Sequence, residues 1–338
     1  MKARYRSIAA VLACAINSMP LGAQAAAGRD DPGLRRLEAE ITHLVAQGNG
    51  KVGVGVIHLE TGRELFVNRD EPFPMASTYK VPIAVQLLTL VDSGRIRLDS
   101  MIALKPSDLH PGSGTISNLL DDPGVSLSLR NFIELMLLIS DNSATDVVLR
   151  TAGTGSAVNA RLRALGVNGI SVDRPTVRLI ADAIGIQILP PENELTIQRF
   201  NQLAGAVPEA AQKAAAQQLY RDRRDTATPE GMTRLLAKIW RGETLSRANT
   251  DLLLDIMRRC ETGQARIKGL LPTDVVVMHK TGTLNLGVAN DVGIITLPNN
   301  AGHVALAVFV KESTADTPAQ ERTIAQIARA IYDYFLFR

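Results

Sequence analysis

Hydrophobic positions along this chain change their period twice, and each change marks a different kind of element. Lys51 to His58 is short and β-branched, Glu60-Thr61-Gly62-Arg63 supplies a turn, and Leu65-Phe66-Val67 resumes the apolar run, which predicts a β-hairpin. From about residue 77 to residue 260 the pattern is helical: Phe132, Leu135, Met136 and Ile139 recur at the spacing of one helix face, and the alanine-rich stretch Ala210 to Ala216 reads as plain helix. Strand character then returns in Val275 to Met278, Val292 to Leu297 and Val304 to Val310, separated by turn-rich segments such as Pro298 to Gly302. A last helix follows, with Thr317 as its cap, Pro318 at its first position and Gln320 as the capping-box partner. Its buried face is expected to be Ile324, Ile327, Ala328 and Ile331.

Strands at both ends of the chain with helices between them predict an α/β (α+β) fold: one antiparallel sheet assembled from the two ends and covered by helices, beside an all-helical lobe. Residues 26–76 and 261–338 would form the α/β lobe and residues 77–260 the helical lobe, with a cleft at their junction.

Residues 1–25 stand outside this scheme. Lys2, Arg4 and Arg6 precede an apolar run from Ile8 to Ile16, and Ala23-Gln24-Ala25 offers a small-residue cleavage site, the marks of a secretory signal peptide. The run is too short to span a bilayer. An uncleaved anchor, or a lipid-attachment box at Val11-Leu12-Ala13-Cys14, are the alternatives. The formal charge of +3 disappears once those three cations are removed, so nothing supports nucleic-acid binding. Of the two cysteines only Cys260 remains, and an exported protein with one thiol has to be stabilised by its core. These features predict a periplasmic or secreted protein, free of the membrane after cleavage; a monomer is the default expectation.

Three short motifs carry the chemistry. Ser77-Thr78-Tyr79-Lys80 spaces a hydroxyl and an amine three apart, so at the start of a helix they share one face. A serine at its free pKa is inert, and Lys80, if desolvated among other cations, is the base that would activate it. In Ser140-Asp141-Asn142, Ser140 would relay a proton to the leaving amine, Asn142 would orient Lys80 and donate to a substrate carbonyl, and Asp141 would hold the turn. Lys280-Thr281-Gly282-Thr283 ends a predicted strand; Lys280 and Thr281 suit a substrate carboxylate, and the amides of Thr283 and Ser77 suit a developing oxyanion. Taken singly the motifs have plainer readings: a helix cap with a solvent-facing lysine, a linker in which Asp141 or Asn142 caps the next helix, and an ordinary strand end. The five histidines show no zinc-binding spacing, and no phosphate-binding or dinucleotide loop is present, so no metal or cofactor is expected. His279 reads as a strand residue at the cleft wall.

In this order the motifs resemble those of the class A serine β-lactamases. The resemblance extends to Asp225-Thr226-Ala227-Thr228-Pro229 ahead of a helix and to Asn290 through Ile295. It implies a hydrolase that opens β-lactam rings through an acyl-enzyme on Ser77. It also implies that Arg266, shortly before the Lys280 strand, completes the carboxylate site, with a surface charge as the alternative. Penicillin-binding proteins share the first and third motifs, so a D-alanyl-D-alanine peptidase-like protein, or a module that captures β-lactams or peptidoglycan covalently, stays open.

One departure matters. Class A enzymes hold the deacylating water with a glutamate between the second and third motifs, and the matching segment, Asp173 to Leu179, places Thr176 there. The stretch between Ser140 and Lys280 is also long, and within it Pro191-Glu192-Asn193-Glu194-Leu195 partly resembles the missing motif. Glu192 is then a replacement base and Asp182 a weaker one. Without either, deacylation would be slow, because a threonine cannot take a proton from water at neutral pH.

Overall fold

The computed structural model describes residues 31–284 and 286–337, with the backbone only at Glu192. The predicted signal segment and Cys14 lie outside the described residues. Nine strands follow one another among these residues: β1 (Lys51–His58), β2 (Glu64–Val67), β3 (Phe73–Pro74), β4 (Met101–Ala103), β5 (Ser126–Ser128), β6 (Thr226–Ala227), β7 (Val277–Leu284), β8 (Val288–Thr296) and β9 (His303–Lys311). Five of them form one antiparallel sheet in the order β2-β1-β9-β8-β7. The two ends of the chain meet where β1 pairs with β9, from Lys51 opposite Lys311 to His58 opposite Val304. The expected sheet from both ends is therefore present.

The Val-Gly alternation of β1 explains how both faces of the sheet are covered. Val52, Val54 and Val56 point to one face, where they pack with Leu37 and Ile41 of the helix Pro32–Ala46 and with Ile324, Ile327 and Ile331 of the helix Thr317–Leu336. Gly53 and Gly55 point to the other, where a β-carbon would strike the Phe73 ring and the Thr233 hydroxyl. Their lack of a side chain lets the helix Pro229–Trp240 lie directly on the strands.

On that second face the core continues into the helices. The helix Lys80–Asp92 is apolar all round, and Ile83, Leu87 and Leu88 have no exposed surface. Each such side chain contributes about 1.5–3 kcal/mol by its burial. The helices Leu129–Leu138, Asn142–Thr151 and Thr154–Ala164 surround it. Between the second and third motifs a long excursion carries the helices Thr176–Ile184, Ile197–Gly205 and Glu209–Arg221, the first two sharing a small core of Val177, Ala181, Ile186, Leu195 and Phe200.

The structure shifts several sequence-based boundaries. The cap of the last helix is Asp316, whose carboxylate accepts from Ala319 N at 2.9 Å, while Gln320 donates to Ala315 O instead of closing a capping box. An ionised carboxylate outcompetes the neighbouring Thr317 hydroxyl at a helix N-terminus. The expected buried face of that helix is observed. Strand β7 runs through Lys280-Thr281-Gly282 to Leu284 instead of ending there, and β8 begins at Val288. Polar side chains interrupt both hydrophobic patterns, yet Lys280, Asn290 and Asp291 are buried with hydrogen-bond partners. The small ribbons β3–β6 and β4–β5 have no counterpart in the sequence reading.

Candidate active site

The first motif sits where β3 turns into the apolar helix. Ala76 takes the left-handed conformation at φ 47°, and a single 3-10 turn, Ala76–Tyr79, leads straight into the helix that starts at Lys80. Gly282 of β7 fits against this turn: a β-carbon there would stand 2.5 Å from Met75 O and 3.0 Å from the Ser77 amide. Only glycine permits that approach, which sets the Ser77 turn directly on the third motif.

The second motif is held from the opposite side. Ser140 is left-handed at φ 62°, and the turn is fixed by Asp141, whose carboxylate accepts from Thr115 N at 2.7 Å, Ile116 N at 2.9 Å and Ala144 N at 2.8 Å. Asp141 thus caps the helix Asn142–Thr151 and anchors the neighbouring loop together. Asn142 accepts from Lys80 Nζ at 3.1 Å and donates to Pro111 O at 3.0 Å, leaving one amide hydrogen uncommitted.

Two lysines converge on one hydroxyl. Lys80 Nζ lies 3.1 Å from Ser140 Oγ and 2.7 Å from Ser140 O, and Lys280 Nζ lies 3.0 Å from the same Oγ and 2.8 Å from Thr281 O. Neither lysine has exposed surface. Burial, followed by the charge of Lys280, holds Lys80 well below the ordinary lysine range, and burial lowers Lys280 to about 8. With both amines donating to it, Ser140 has its own proton free for another acceptor. Such a hydroxyl can pass a proton, and a depressed lysine can take one.

Arg266 is buried, which removes the surface-charge alternative. Its guanidinium donates to Gly282 O at 3.0 Å, Asn290 O at 2.9 Å and Thr283 Oγ1 at 2.7 Å, and pairs with Glu321 at 3.1 Å. It braces β7 and β8 from beneath and reaches the cleft through the exposed Thr283. Thr281 is buried, with its hydroxyl 2.6 Å from that of Thr262.

Thr176 opens the helix Thr176–Ile184, buried beside the first motif, and its hydroxyl bonds that of Tyr79. Its amide and that of Val177 donate to Asp146 at 2.6 and 3.1 Å, and Asp146 also meets His110 Nε2 at 3.2 Å. The sequence reading missed Asp146; its place one helical turn after Asn142 was the available signal. Asp182 does not face the serine: it is bound by Arg174 at 2.8 Å and Arg178 at 2.6 Å. Arg174 in turn joins Asp225 at 2.6 Å and ties both ends of the long excursion together. Glu192 sits in the 3-10 turn Glu192–Glu194, and its side chain lies outside the described residues. His279 is not a cleft-wall residue. It is fully buried, with Nδ1 at 2.9 and 3.0 Å from the two Asp291 oxygens.

Two desolvated lysines that share the Ser140 hydroxyl, beside a sheet edge packed directly on the Ser77 turn, are the parts that a serine acyl-transfer enzyme needs. The family model described as "Beta-lactamase enzyme family" matches residues 36–335, and the chain belongs to that family, with class A enzymes among its structural relatives. Among curated relatives, Beta-lactamase VEB-1 of Pseudomonas aeruginosa is 29% identical over 311 residues, covering 89% of this chain and 90% of its own. Among solved structures, TLA-1 extended-spectrum β-lactamase is 30% identical, covering 90% of this chain and 99% of its own, with a TM-score of 0.73. A leucine-to-glutamate variant of PBP-A, solved as an acyl-enzyme complex with penicillin G, is 28% identical, covering 89% and 97%, with a TM-score of 0.70.

Proposed function

We propose that this enzyme opens β-lactams through an ester on Ser77 and releases the product slowly. Lys80, desolvated and beside a second cation, takes the Ser77 proton; the amides of Ser77 and Thr283 receive the oxyanion, and Ser140 hands its free proton to the departing amide nitrogen. Lys280, Thr281 and Thr283, with Arg266 behind them, hold the substrate carboxylate. The convergence of Lys80 and Lys280 on Ser140 Oγ carries this reading. The PBP-A variant solved as a penicillin G acyl-enzyme supports ester formation on a fold of this kind.

Release is the weak half. Thr176 supplies no carboxylate and is already committed to Tyr79 and Asp146. Glu192 is the remaining candidate base. The same observation favours a second reading, a penicillin-binding or covalent capture protein with little turnover. Intact-protein mass spectrometry after mixing with penicillin G decides: an adduct on Ser77 that decays within minutes, and more slowly in Glu192→Gln, supports the hydrolase with Glu192 as its base. A permanent one-equivalent adduct supports capture, and hydrolysis by Ser77→Ala would sink the mechanism. The expected export signal in residues 1–25 supports a reaction outside the cytoplasm.

A further inference from the structure

Behind Lys280 lies a second set of reactive groups that the acyl-transfer scheme does not use. Cys260 follows the helix Arg247–Arg258, His279 precedes Lys280 on β7, and Asp291 stands on β8; all three are buried. The His279 ring gives Nδ1 to Asp291, its Nε2 has no hydrogen-bond partner, and the ring interacts electrostatically with the Cys260 thiol. From Cys260 a line of hydroxyls leads outward. Its Sγ is 3.3 Å from Thr262 Oγ1, which is 2.6 Å from Thr281 Oγ1. Gly263, at φ 70°, leaves no room for a β-carbon against Thr281, so this segment is pressed onto the strand.

The charged groups around the sulfur are His279 and Lys280 from β7, Asp291 behind the ring on β8, and Lys268, whose Nζ donates to Cys260 O at 3.3 Å. Burial alone would raise the thiol, but the neighbouring His279 ring and the Lys280 charge bring it down to about 6. Burial would lower the imidazole, and Asp291 instead raises it to about 9. Both shifts favour the thiolate–imidazolium form of the pair.

Each threonine hydroxyl has one proton. A thiolate only accepts, so Thr262 turns its proton to the sulfur. Thr281 must then fill the short contact to Thr262 with its own proton and shows the cleft a lone pair. When the sulfur is protonated, Thr262 is free to donate to Thr281, whose proton can turn to a carboxylate. We propose that Cys260 is a positioning residue whose ionisation, relayed by Thr262, decides whether Thr281 donates to a substrate carboxylate. Carboxylate-bearing substrates are then held more tightly when the sulfur is protonated, and their binding draws a proton onto it. This rests on the placement of the substrate carboxylate at Thr281 given above.

The test is the penicillin G concentration that half-saturates Ser77 acylation, read by intact mass about one unit either side of pH 6. It should rise on the order of tenfold with pH, the worth of one charge-assisted hydrogen bond. Cys260→Ser and Thr262→Val should flatten the profile, and Thr262→Ser should restore it. The thiolate absorbance, taken as the difference from Cys260→Ala, should shift its midpoint upward by about one unit on acylation, the same tenfold factor. An unchanged profile in Thr262→Val, or an unmoved thiolate midpoint, overturns the relay while leaving Ser77 acylation standing. No Ser77 adduct at either pH sinks the acylation reading and the relay with it.

Discussion

Replacing Thr176 with glutamate should convert slow release into turnover. A positioned general base is worth about 10²–10⁴ in rate, or roughly 3–5 kcal/mol of barrier. Part of that is lost here. The new side chain would stem from the residue whose amide donates to Asp146 at 2.6 Å, and two neighbouring carboxylates raise each other's affinity for protons. Three features offset the repulsion: the Tyr79 hydroxyl that now bonds Thr176, the N-terminus of the helix Thr176–Ile184, and the buried Lys80 one residue after Tyr79. The expected gain is therefore at the low end, about a hundredfold. Two extra heavy atoms in a buried position should cost about 1–3 kcal/mol of stability. The assay follows decay of the penicillin G adduct on Ser77 after a single turnover, which separates release from acylation. A folded Thr176→Glu protein that acylates normally yet loses its adduct no faster would refute the assignment of this position.

Other perturbations test the rest of the site. Lys280, lowered to about 8, is cationic below that pH, so affinity for carboxylate substrates should fall about tenfold as pH rises from about 7 to 9, measured as the half-saturating concentration. Gly282→Ala should push the Ser77 turn away from β7, reduce acylation by at least tenfold and lower the melting temperature, since its β-carbon would stand 2.5 Å from the backbone oxygen of Met75. Arg174→Ala leaves Asp225 buried without its cation and should cost about 3–5 kcal/mol, with new proteolytic cuts between residues 185 and 222.

The motifs were legible because their chemistry needs particular residue types at short range: Ser77 and Lys80 share a helix face, and Asp141 caps the helix it precedes. The sheet was legible because β-branched runs at the two chain ends had no other place to bury themselves. What the sequence concealed are partnerships made across the fold. Nothing near Asp146 announces His110, and nothing near Cys260 announces His279 or Asp291, since each contact joins residues far apart in the chain. Lys280 and Asp291 misled in a related way: charges ordinarily end a strand, and here they continue it because each finds a buried partner. Thr317 was mistaken for the cap because Asp316, one position earlier, is the stronger acceptor.

Pairing β1 with β9 also sets the order in which the enzyme comes into being. A chain being synthesised completes Ser77, Lys80 and Ser140 long before Lys311, yet the sheet that carries Gly282 against the serine turn cannot close until Lys311 lies opposite Lys51. Its catalytic power is consequently among the last properties it acquires, and a nascent chain that already holds its nucleophile is still inert.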